Sequence, residues 1–300
     1  MEIETMTEAQ KLSVPEQGKA DRQARRDAQA GTLPKLKLMI ATPCYMSQMF
    51  APYAESVMAT LGMLKDIGVE YQMQYLNGDS YIDRAKNTIV ANFLESDCTD
   101  LLMIDSDMQF SPDAVGRMLR HTQGIVGGFF PMKNAWAQFC GHLLPDENGM
   151  QPDVSKAIEL WDGSCLLAAH LLPGGFLRLK RDVLERFADQ YPTVVYLDPC
   201  ADPAKPERVY TAFFECMIHE HLRYGEDATF CRRMREMGET LYVDPNISFG
   251  HYGVKGFHGN YHEHLLKPAE ELEVIAAERA KAAESVTAVR VEPEAQDASA

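Results

Sequence analysis

Positive charge is scarce in this 300-residue chain: 29 Lys and Arg stand against 44 Asp and Glu, for a formal charge of −15. The termini hold part of the excess, six acids against five bases over 1–34 and eight against three over 270–300, which leaves −9 between them. A broad nucleic-acid-binding face is therefore disfavoured, although a local basic groove is not excluded. Long apolar runs are also missing. No stretch has the length and apolarity of a membrane span, and the N-terminus lacks the basic-then-apolar pattern of a signal peptide. The seven cysteines are odd in number and contain no C-x-x-C pair, which predicts reduced thiols rather than a disulfide framework. Together these absences predict a soluble, cytoplasmic protein. No internal repeat is found.

What is present is an even spread of apolar residues from Leu36 to Leu266, enough for one continuous core. The expected organisation is a polar, disordered tail over 1–34, a single domain over 35–269, and an Ala/Glu-rich tail over 270–300. Within the domain, KLMIAT over 37–42 reads as a buried strand that stops at Pro43. A helix over 54–65 closed by Gly68 follows, then an alternating strand over 69–76 closed by Asn77-Gly78. A second helix over 81–95 turns Ile82, Ile89, Val90 and Phe93 inward and places Arg84 and Asn87 on one face. A strand over 101–104, a helix over 112–120 and a strand over 124–127 complete the first part. The stretch beyond is irregular. Strands alternating with helices predict an α/β fold, a parallel or mixed sheet with helices on both faces.

The most informative segment is Leu101-Leu102-Met103-Ile104-Asp105-Ser106-Asp107-Met108. A buried strand delivers two carboxylates to its carboxyl end, where open α/β sheets present their ligand site. Strand alternation would send Asp105 and Asp107 to one side and Ser106 to the other. Two hard oxygen ligands suit magnesium or manganese. The alternative is a solvated turn that happens to hold two acids.

In the second half, Gly174 and Gly175 introduce a strand through Phe176, Leu177 and Leu179, then a helix with Val183, Leu184 and Phe187 inward. Paired glycines let a backbone pass close to a ligand, or simply form a loop. Glu226 and Asp227 begin a helix whose inner face is Phe230, Met234 and Met237; acids in a first turn also serve only to complement its unpaired amides. His251 follows the strand LYV. Cys216, His219, His221, Cys231, His258, His262 and His264 enrich this region in zinc-type ligands, with finger-like spacing from Cys216 to His219 and helical spacing from His258 to His262. Without a second ordered pair, a structural zinc site is the lesser expectation.

Taken in order, ATPCY (41–45), the helix of Arg84 and Asn87, MIDSDM (103–108), PGGFLRLKRDVLERF (173–187) and GEDATFCRRMREMG (225–238) resemble GT-A glycosyltransferases, in particular small family-2-like enzymes of bacteria and their phages. The resemblance spans about 36–255. It implies a GT-A fold, a Rossmann-like nucleotide-sugar-binding mixed sheet flanked by helices, with a donor half over 35–132 and an acceptor half over 133–269. By it, Thr42, Pro43, Tyr45 and Asp79 would border the donor. Arg84 would reach its base or diphosphate, Asp105 would contact its ribose or the metal, and Asn87 and Ser106 would belong to the same donor-binding set. Gly174 and Gly175 would pass near the sugar. Asp105, Asp107 and His251 would hold a divalent metal, Mn2+ or Mg2+. Asp227, with Glu226 as the second candidate, would take the proton from an acceptor hydroxyl in an inverting displacement.

The donor so implied is a nucleotide-sugar, for which UDP-sugars are the first expectation. The acceptor is unnamed, with a polysaccharide precursor, a protein, or a hydroxymethylated pyrimidine in phage DNA as classes. A retaining enzyme of the same fold would share the two aspartates and the histidine. Nucleotidyl transfer is a competing chemistry, opposed by the lack of a Gly-rich basic phosphate loop after the first strand. A sugar-nucleotide-binding module without turnover is the non-enzymatic alternative.

Overall fold

The run of apolar residues from Leu38 to Ala41 forms the centre of β1 (Lys37–Cys44) and is almost wholly excluded from solvent. The computed structural model describes residues 35–134, 138–149, 151–198, 205–253 and 255–267, together with 271, 273, 274 and 277. Apart from those last residues, both expected tails lie outside the described residues. After β1 come α1 (Ala51–Asp66), β2 (Glu70–Asn77), α2 (Ile82–Glu95) and β3 (Asp100–Ile104). Next are β4 (Met108–Gln109), α3 (Pro112–Arg120), β5 (Ile125–Gly127), β6 (His142–Leu143), β7 (Ile158–Glu159) and β8 (Cys165–Leu171). β9 (Phe176–Lys180), α4 (Arg181–Gln190), β10 (Val195–Leu197), β11 (Val209–Thr211), β12 (Met217–His219) and β13 (Leu222–Tyr224) follow. The chain then forms α5 (Glu226–Glu236), β14 (Leu241–Val243), β15 (Ser248–Tyr252), β16 (Gly256–Asn260) and α6 (Tyr261–Leu265).

Nine strands make the main sheet in the order β2-β1-β3-β9-β5-β14-β8-β6, with β7 also against β8. β1 is parallel to β2 and β3, and β5 to β14, whereas β9 runs antiparallel between β3 and β5. The expected mixed α/β sheet with flanking helices is what the chain forms. Side-chain alternation divides the core between its two faces. Met39, Ala41, Leu101 and Met103 pack with residues of α2, α4 and α5; Leu38, Ile40, Leu102 and Ile104 pack with those of α1 and α3. Each fully buried Leu, Ile or Phe contributes about 1.5–3 kcal/mol relative to exposure, so both helical layers are needed.

Two local expectations are corrected. β1 does not stop before Pro43 but continues to Cys44, paired with Asn77 of β2. Pairing with β3 has already ended at Ala41 and Met103, so a residue without an N–H is tolerated there. β3 itself ends at Ile104, and residues 105–107 leave the sheet in a turn closed by the Met108 amide donating to the Asp105 carbonyl at 3.2 Å. Strand alternation therefore does not decide where Asp105 and Asp107 point. In a second, three-stranded sheet of order β16-β15-β4, His251 is registered opposite Met108. That pairing carries a residue far along the chain to the side of Asp107.

Candidate functional site

The turn after β3 borders a cleft of about 300 Å³, which Asp105, Ser106 and Asp107 share with Pro43, Tyr45, Asp79 and the start of α2. Thr42 lies beneath it, fully buried, with its hydroxyl hydrogen-bonded to that of Tyr53. Tyr45 is 61% exposed at the rim. Asp79 accepts from the Arg84 guanidinium through both carboxylate oxygens at 2.8 Å, and Asp198 lies 3.5 Å from the same group. Arg84 thus faces a ligand only in exchange for part of this pairing. Asn87 is not directed at the cleft. Its amide donates to the Phe214 carbonyl at 2.7 Å and its oxygen accepts from the Phe214 amide at 2.9 Å, a tie between α2 and the segment after β11.

Asp105 and Asp107 each have one buried carboxylate oxygen, Oδ1, without a hydrogen-bond partner. Such orphaned acceptors are costly unless a cation or water completes them. Burial is the main cause that pushes the Asp105 carboxyl up to about 6; nearby Lys86 opposes the shift and Asp107 adds to it. His251 stands opposite. A carbonyl only accepts, so the 2.8 Å contact between His251 Nδ1 and the Pro131 oxygen places the proton on Nδ1. In the neutral ring Nε2 then presents a lone pair, 3.7 Å from Asp107 Oδ2. Burial pulls the imidazole below its ordinary pKa, against the Pro131 hydrogen bond and the Asp107 charge that raise it, and favours that form. The donor set, two carboxylates and an imidazole oriented through its other nitrogen, fits a divalent ion. Yet the Lys133 ammonium pairs with Asp107 Oδ2, and among the described residues no three such side chains are already gathered as a metal site.

Behind the cleft, Lys86 Nζ lies 2.6 Å from Asp227 Oδ1 and 3.1 Å from Glu226 Oε1. The lysine comes from α2 and both acids from the first turn of α5. Burial alone would lower the Lys86 pKa, but the charges of Asp227, Asp105 and Glu226 outweigh it and hold the pKa above the ordinary lysine value. Asp227 Oδ2 accepts from the Gly174 amide at 2.8 Å. A side chain at Gly174 would put its Cβ 2.6 Å from Asp227 Oδ1, and one at Gly175 would stand 2.7 Å from the Phe130 ring and 3.0 Å from Asp105 Oδ2. The paired glycines are thus needed where the backbone passes between Asp105 and Asp227.

Sequence reasoning missed Lys86 and Lys133. Lys86 had a readable signal: Ala85, Ile89, Val90 and Phe93 follow the helical period of an inward face, and Lys86 lies on that face, three residues before Ile89 and four before Val90, whereas Ile82, expected to turn inward at the first turn, is exposed. A charge at a core-facing position demands a buried partner. Lys133, in an irregular stretch, carried no such signal. The zinc-type ligands do not converge: Cys216 is exposed, whereas Cys231 is buried and donates to the Leu172 carbonyl at 3.5 Å. The six described cysteines are free, and no helix among the described residues is long and apolar enough to cross a membrane.

No family model and no curated protein matches the chain. Among solved structures it is similar to A197 from STIV, at 14% identity and a TM-score of 0.41, over 73% of this chain and 86% of that one. It is similar also to a mutant of Drosophila beta-1,4-galactosyltransferase 7 in complex with manganese, UDP-Gal and xylobiose, at 15% identity and a TM-score of 0.39, over 80% of this chain and 79% of that one. A third is a glycosyltransferase involved in glycosylation of the major capsid of PBCV-1, at 8% identity and a TM-score of 0.28, over 51% and 65% of the two chains. Two of these three carry glycosyltransferase activity in their names; at these scores function has to rest on the side chains of the site itself.

Proposed function

We propose that the protein is a divalent-metal-dependent glycosyltransferase of the GT-A type, moving a sugar from a nucleotide-sugar to an acceptor hydroxyl. The observation that carries this reading is the convergence, across Gly174 and Gly175, of two unlike acidic centres. On one side, Asp105 and Asp107 bring unpartnered oxygens to a cleft. On the other, Asp227 is held by Lys86 and the Gly174 amide. One centre suits a diphosphate with its cation, and the other suits proton transfer.

Asp105, Asp107 and His251 would hold Mn2+ or Mg2+, which when bound offsets the charge of the departing diphosphate. The cleft between Pro43, Tyr45 and Asp79 would take the nucleotide, for which UDP is the first candidate. Arg84 reaches the phosphates by releasing Asp79, its fork geometry matching their oxygens. Asp227 accepts the acceptor's hydroxyl proton as that oxygen bonds to the anomeric carbon, while the bond to the diphosphate breaks and its electron pair leaves on the diphosphate. Attack opposite the leaving group inverts the anomeric centre. Glu226 is the second candidate for the base.

Incubation with isotopically labelled nucleotide-sugars and Mn2+, with products separated by chromatography, tests the assignment. Release of nucleoside diphosphate with sugar transfer or hydrolysis supports it. Pyrophosphate exchange would instead indicate nucleotidyl transfer, and saturable binding without turnover a binding module. Polysaccharide precursors, proteins and DNA with hydroxymethylated pyrimidines form the acceptor panel.

A further inference from the structure

Lys86 is only 3% exposed in its side chain, and yet it is a charged group in the innermost part of the site. Burial of an ammonium is expensive unless partners surround it. Here it meets Asp227 and Glu226 directly, with Asp105 close enough to act on it through charge. A simple structural tie between α2 and α5 would need one acid. Three carboxylates around one ammonium instead make the cation the group that keeps neighbouring acids from repelling one another.

The second feature is the seat of Asp227. Its Oδ1 faces the lysine and its Oδ2 the Gly174 amide, so the carboxylate is fixed at both ends. Gly174 is compatible with this seat because it has no Cβ to push against Asp227 Oδ1. The adjoining Gly175 carbonyl accepts from the Asp105 amide at 3.0 Å. The same two-residue segment therefore joins Asp227 to the end of β3.

We propose that Lys86 is the positioning residue of the acceptor-activating carboxylate: clamped between Asp227 and Glu226, it seats Asp227 against the Gly174 amide. This role rests on the reading of Asp227 as the base. Lys86 itself is too deeply buried to meet a substrate and acts through Asp227.

A double-mutant cycle of Lys86→Met, Asp227→Asn and their combination, measured in wild-type buffer with Mn2+ and a turned-over donor, tests it. Lys86→Met is expected to lower kcat by about a hundredfold or more, the usual scale of positioned proton transfer, with affinity for UDP within about threefold. In the Asp227→Asn background the same change should cost less than about threefold, because groups acting as one unit are not additive. Hydrogen exchange supplies a readout independent of turnover: the Gly174 amide should exchange at least about tenfold faster in Lys86→Met. If Lys86→Met does not fold, Gly174→Ala perturbs the seat while both charges remain, and a kcat loss of about tenfold or more is expected. Losses that multiply in the double variant, or unchanged Gly174 protection, or unchanged turnover in Gly174→Ala, overturn the role of Lys86 while leaving Asp227 as base. Wild-type turnover in Asp227→Asn alone would overturn the base assignment, and the positioning role with it.

Discussion

His251 faces Asp107 at 3.7 Å with its unprotonated nitrogen, because its other nitrogen donates to Pro131. The pairing of β15 with β4 sets that approach, and it places two electron-rich groups side by side, with the Lys133 ammonium paired to the same Asp107 oxygen. Asp107→Ala is therefore expected to abolish the dependence of UDP affinity on Mn2+, since the remaining ligands lack the charge that a hard ion requires. Titration calorimetry with and without Mn2+ checks this. Unchanged affinity in Mn2+ would remove Asp107 from the metal site.

Lys133 pairs with Asp107 Oδ2, the oxygen that faces His251, next to the unpartnered Oδ1. Lys133→Met should tighten binding of Mn2+ alone, read by electron paramagnetic resonance of the free ion, by up to about fivefold, the worth of a partly exposed ion pair. Weaker Mn2+ binding would show that Lys133 supports the site rather than competing for it.

Much of this was legible in the sequence. The apolar run before Asp105, the helix of Arg84, and the acids opening α5 are short-range patterns, and the folded chain contains each element within a few residues of its expected bounds. What escaped depends on distant partners. Asn87 looks like a ligand from its place beside Arg84 but is consumed by the Phe214 backbone, and Arg84 itself pairs with Asp79. β8, in the stretch read as irregular, gains its place between β14 and β6, a pairing that no local pattern announces. Pro43 misled because its tolerance depends on where β3 stops.

Asp244, which follows β14, supports the route to His251. Its buried carboxylate accepts from Arg117 at 2.8 Å, from His121 at 3.0 Å and from the Asn246 amide at 3.0 Å, just before β15 begins. Burial raises its pKa, but the His121 and Arg117 hydrogen bonds outweigh that and leave it below the ordinary carboxylate value. A lowered folded-state pKa gives stability that is present above the unfolded value, about 4, and lost as pH falls through the folded one. Asp244→Asn should cost about 3 kcal/mol at pH 7, with the deficit shrinking below about pH 4. Urea unfolding at pH 7 and pH 3.5 tests this; an equal deficit at both would contradict the ionised role.

The central claim is that Asp227 takes the acceptor proton while the aspartates after β3 serve the donor. The measurement that meets it most directly is the turnover of Asp227→Asn on a donor the wild type uses, in saturating Mn2+, beside Glu226→Gln. The account predicts that Asp227→Asn keeps donor affinity within a few-fold and loses about a hundred- to ten-thousandfold in kcat, with Glu226→Gln affected far less. Wild-type turnover in Asp227→Asn would contradict it: loss confined to Glu226→Gln would move the base by one residue, and activity kept in both would remove the inverting mechanism.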